Sequence, residues 1–103
     1  MQLNDYQEWT RSTAIYPKDQ ALVYLILGLG SEVGELQGKL KKFIRDDTID
    51  AEAFLHEVGD VYWYLTRILD EVGHKAEDVL QMNHNKLEDR KARSVLKGSG
   101  DNR

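Results

Sequence analysis

Apolar residues along the chain recur at steps of three and four, and no stretch alternates with the period of a strand. Leu22, Leu25, Leu29, Val33, Leu36, Leu40 and Phe43 form one stripe, which predicts a long helix over about 20–44 with Asp19 as its cap. A second stripe, Leu55, Val58, Val61 or Tyr62, Leu65, Ile68, Leu69 and Val72, predicts a helix over about 51–72, capped by Asp47 or Asp50 and stopped before Gly73. A weaker stripe of Ala76, Val79, Leu80, Asn83, Leu87 and Arg90 predicts a last helix over about 75–93. Near the start, Asn4 followed by Gln7 has the form of a capping box. A short helix carrying Tyr6 and Trp9 should follow and end near Thr13, ahead of a turn at Pro17. The end from Ser94 onward reads as a frayed terminus. The expected architecture is all-α, an antiparallel helical bundle of about four helices in a single domain spanning 1–103.

The stretch ALVYLILGLG is apolar nearly all round, which calls for enclosure by other helices or by a second subunit. Gly28, Gly30, Gly34 and Gly38 follow in the same predicted helix, and each costs about 1 kcal/mol of helix propensity relative to alanine. Close approach of another backbone or a ligand is the simplest reason to accept four such costs. A break of the helix at 28–30 is the alternative.

Composition narrows the chemistry. The chain has 103 residues, 41 % of them hydrophobic and 31 % charged, as in one soluble globular domain. It has no cysteine, which excludes a disulfide scaffold, a zinc finger and thiol catalysis, so any metal must be held by oxygen or histidine nitrogen. No secretory leader pattern and no apolar run of membrane-spanning length is present, and the cytoplasm is the expected location. A net charge of -4 argues against a nucleic-acid module. From Lys86 onward, however, six Lys or Arg stand against three Asp or Glu, so an anionic ligand could use this end.

Against this background two acidic pairs stand out, Glu32 with Glu35 in GSEVGEL and Glu57 with Asp60 in HEVGDV. An i,i+3 spacing puts both members of a pair on one helix face, about 5–6 Å apart at Cβ. Taken singly, each acid reads as a solvated surface charge. As a set they lie at the margins of the apolar stripes, and the 21 residues between the pairs fit an out-and-back hairpin that brings them to similar depth. Four converging carboxylates repel one another and lose hydration unless a cation holds them. Hard divalent ions take such oxygen ligands, and Mg²⁺ in particular is shared between carboxylates, water and substrate phosphates. No Glu-x-x-His pattern of a di-iron bundle is present, so the implied ion is Mg²⁺, with Mn²⁺ as a substitute. It would neutralise a polyphosphate and activate water for attack at phosphorus.

The runs GLGSEVGELQGKLKKF, FLHEVGDVYWYL and NHNKLEDR resemble the MazG-like branch of the all-alpha nucleoside triphosphate pyrophosphatase superfamily, over about 20–93. The resemblance implies Mg²⁺-dependent cleavage of a nucleoside triphosphate between the α and β phosphates, giving monophosphate and pyrophosphate. It implies Glu32, Glu35, Glu57 and Asp60 as the catalytic metal ligands, Lys39 as a phosphate contact, and Asn83, Lys86 and Arg90 as a substrate-binding element. It also implies a homodimer or homotetramer. Ser31 stands where family members often carry a further glutamate.

Lys39, Lys42, Lys86 and Arg90 otherwise read as surface charge, and Lys39 could simply pair with Glu35 four residues earlier. Trp9, Tyr62, Trp63 and Tyr64 are candidates for stacking on a base, with Trp63 favoured because it follows Asp60 by three residues. His84 reads as a surface residue. The competing functional class is a non-enzymatic helical interaction module whose acidic faces are solvated.

Overall fold

The computed structural model describes all 103 residues, Met1–Arg103. Four α-helices account for most of the chain: α1 (Leu3–Thr10), α2 (Ala21–Asp46), α3 (Ala51–Glu71) and α4 (Ala76–Ala92), with 3₁₀ turns at Arg11–Thr13 and Lys18–Gln20 and no strand. The longest packed interface joins α2 to α3, an antiparallel pair closed by a four-residue connection. Asp47 ends α2 in the left-handed region with φ 55°. Asp50 then caps α3 by accepting a 3.1 Å hydrogen bond from the Ala53 backbone N–H. Gly73, with φ +80°, supplies the left-handed residue that ends α3.

Several local expectations are corrected. Asn4 lies inside α1, whose N-cap is Gln2, and the caps of α1 and α2 make no side-chain hydrogen bond. Asp19 belongs to a 3₁₀ turn, and Gln20 precedes α2. Asn4 and Gln7 serve another helix. Gln7 Oε1 accepts from the Ala76 N–H at 2.6 Å, and Asn4 Oδ1 accepts from the Glu77 N–H at 3.3 Å, so α1 caps the N-terminus of α4. The helix α2 runs unbroken through 28–30. Close approach explains one of its glycines: a Cβ on Gly28 would overlap the Tyr64 ring, whereas Gly30, Gly34 and Gly38 face open space.

The apolar stripes are only partly covered. Leu25 is fully buried, and with Tyr16 and Ala21 it makes the core, flanked by Ala14, Trp63, Tyr64 and Ile68. Leu22, Leu40 and Phe43 of the α2 stripe stay exposed, as do Leu55 and Leu65 on α3 and Val72 just beyond it. The buried side of α3 near its end is polar instead. Arg67 is 3 % exposed and donates to Tyr16 Oη, Thr10 Oγ1, Asp70 and Glu71, while Tyr16 itself donates to Glu71. Asp70 also receives Arg11 and Gln7, so this network ties α1 to α3. On α4 only Ala76 and Arg90 are buried. No helix is long and apolar enough to cross a membrane.

Candidate metal centre

The hairpin brings three of the four acids together. Glu32 on α2 and Glu57 and Asp60 on α3 each offer a carboxylate oxygen, and these oxygens all lie within 4.8 Å of one another. Glu35, one turn beyond Glu32, is exposed and stands outside this triad, although its charge acts on Glu32. Burial first, then the facing Glu57 carboxyl and the negative charges of Asp60 and Glu35, push the Glu32 carboxyl up to about 7. Glu57 Oε2 is buried without a hydrogen-bond partner. A proton on Glu32 or a cation between the carboxylates would satisfy that oxygen. An all-oxygen donor set of this spacing suits a hard divalent ion such as Mg²⁺ or Mn²⁺.

Aromatic side chains border the triad. Tyr64 fills the space left by Gly28, and its hydroxyl is pushed upward by burial, then by Tyr24 and the charges of Glu32 and Asp60. Tyr6 is raised by burial and then by the Asp60 charge. Tyr6, Gly59 and Tyr62 line an open hollow of about 370 Å³ together with Met1, Gln2 and Leu3. Trp63 is turned toward the scaffold: its indole N–H donates to Thr13 Oγ1 at 2.8 Å, and its ring packs edge-on against Tyr16 and Tyr64.

The basic candidates lie in two places. Lys39 is half-buried and lines a hollow of about 240 Å³ near the hairpin turn with Lys42, Asp46 and Asp50. Lys86 and Arg90 share the Asp101 carboxylate at 3.4 and 3.3 Å. Asn83 and His84 are exposed on α4, and His84 makes local contacts with Gln81 and Asn85.

Comparison with known proteins finds a relative of matching length: the chain is 38% identical over 114 aligned positions to the Gene 37 protein of Mycobacterium phage L5, covering 100% of both chains. The chain belongs to the Gene 37 protein family. No family model and no solved structure matches it. In this Gene 37 family chain, Tyr64, one of the aromatic candidates of the sequence, neighbours the acids in place of the favoured Trp63, and Tyr6 is a neighbour that the sequence pattern did not single out. Tyr64 carried a signal in its spacing, four residues after Asp60 on the same helix face. Tyr6 carried none, since its place depends on how α1 packs.

Proposed function

We propose that this protein is an Mg²⁺-dependent nucleoside triphosphate pyrophosphohydrolase of the MazG-like kind, acting in the cytoplasm on nucleotide pools. The observation that carries the reading is the Glu32, Glu57 and Asp60 triad with its unpartnered buried Glu57 oxygen. Glu32, Glu57 and Asp60 would hold the ion, with Glu35 on the rim as a fourth carboxylate. Bound Mg²⁺ supplies charge neutralisation and polarisation of the phosphoryl group. A carboxylate of this cluster left free by the ion would accept the proton released as water is consumed. Lys39, Lys86 and Arg90 would bind outer phosphate oxygens, and the Tyr6, Gly59 and Tyr62 hollow offers aromatic walls to a base. A homodimer or homotetramer completes this reading, because Leu22, Val23, Ile26 and Leu27 on α2 are uncovered in the single chain.

Product analysis on a panel of ribo- and deoxyribonucleoside triphosphates, with and without Mg²⁺, tests it. The expected result is monophosphate plus pyrophosphate, reduced at least about 100-fold in Glu57→Gln and in Glu35→Gln while both variants stay folded. Absence of turnover together with absence of Mg²⁺ binding would remove the metal-site reading. The same uncovered apolar faces favour the second reading, a helical interaction module. That reading expects partner binding, no turnover, and no functional loss in Glu57→Gln.

A further inference from the structure

The C-terminal segment is not a loose end. Beyond α4 the chain reverses at Ser94, whose φ is +58°, and turns again through Gly98 and Gly100. Arg103 then donates to the backbone oxygens of Val95, Leu96 and Gly100, which rolls the segment into a closed loop. This loop delivers Asp101 to the cationic side of α4. One oxygen, Oδ1, accepts from Lys86 Nζ at 3.4 Å and from Arg90 Nη2 at 3.3 Å, and Arg90 also donates to the Gly100 carbonyl at 3.3 Å. Arg90 is only 5 % exposed, an uncommon setting for a guanidinium on an otherwise solvated helix.

We infer that Lys86 and Arg90 form an anion clamp that the chain closes on itself, with Asp101 as a displaceable internal competitor for an incoming polyphosphate. The inference rests on the proposed role of Lys86 and Arg90 as phosphate contacts. An oxygen shared by a lysine and an arginine sits where a phosphate oxygen would sit, since both anions accept charge-assisted hydrogen bonds from the same donors. The carboxylate is a weak occupant. It carries one charge, its bonds are long, and it is 84 % exposed at the side chain. A triphosphate brings several charges and a geometry that the guanidinium fork can grip at two oxygens. The tether still matters, because a short linker holds Asp101 near the clamp at an effective concentration in the millimolar range. Release is a hinge motion. Most bonds of Arg103 are to the segment's own backbone, so the loop can leave as a unit once the Lys86, Arg90 and Arg93 contacts to it break. Its anionic occupant makes the segment a gate on affinity: the ligand binds only the fraction of molecules whose clamp is open.

The test uses the full chain and inorganic triphosphate as the probe, without Mg²⁺ and without any nucleotide. Calorimetric titration of Asp101→Asn is expected to show binding about three- to tenfold tighter than in the natural sequence, the factor by which closure reduces the competent population. In the natural chain, hydrogen exchange across 95–103 should speed up when the probe binds. Equal or weaker binding by Asp101→Asn overturns the inference. So does slower exchange across 95–103, which would make the segment a lid that closes on the ligand, and so does absence of triphosphate binding in both chains. Because the readout needs no turnover, tightened binding without nucleotide hydrolysis would fail the enzymatic reading alone, and hydrolysis with unchanged binding would fail the gate alone.

Discussion

Single residues at the hairpin carry sharply different duties. At Gly28 an added methyl meets the Tyr64 ring, so Gly28→Ala should lose about 1–3 kcal/mol through overpacking despite its better helix propensity, as read by chemical denaturation. At Glu32 burial and the neighbouring carboxylates push the carboxyl up to about 7, so that without a cation it keeps its proton well above the ordinary carboxylate range. A cation binding the triad must expel it. Titrating Mg²⁺ into weakly buffered protein at pH 7 should therefore release protons, and Glu32→Gln should release fewer. Asp70 works in the opposite sense. The Arg11 hydrogen bond, opposed by burial and aided by Arg67 and Gln7, holds its carboxyl down at about 2, below its ordinary 3.8. A depressed carboxylate stabilises the fold above its unfolded value and loses that contribution as pH falls through the folded one. Stability should thus decline between about pH 4 and pH 2, and Asp70→Asn, which strips buried Arg67 of a partner, should cost about 2–3 kcal/mol at neutral pH.

Helices show which parts of the fold could be read in advance. The positions of α2, α3 and α4 follow from apolar spacing, and a hairpin of matched arms brings the two acidic pairs to one level, but Glu35, which the i,i+3 spacing put on the same face as Glu32, stands outside the triad. Asn4 and Gln7 misled for a physical reason. Their local spacing imitates a capping box, yet the N–H groups they accept belong to Ala76 and Glu77, about seventy positions away. Burial of Thr66 and Arg67 was equally hidden, since it depends on Thr10 and Tyr16 converging on α3 from the start of the chain. Gln7→Ala should accordingly weaken α4 rather than α1. A loss of about 1–2 kcal/mol is expected, with the fastest hydrogen exchange appearing in the first turn of α4.

The whole chain is open for its size. Its radius of gyration is 16.7 Å, against about 13 Å for a compact domain of this length. Gly34 offers a check on what covers α2. Gly34→Ala should gain up to about 1 kcal/mol if that face stays free, and should weaken self-association if a second copy packs there, read by analytical ultracentrifugation across a dilution series. The clasp between α1 and α4 also sets an order in time. Contacts within the α2 and α3 pair close a short loop, whereas the Asn4 and Gln7 bonds to α4 span 73 and 69 positions and must wait until both helices exist. During synthesis the first helix therefore leaves the ribosome long before its partner does. Its bonds to α4 can form only once α4 has emerged, so α1 spends that interval with Gln7 and Asn4 unpartnered by Ala76 and Glu77.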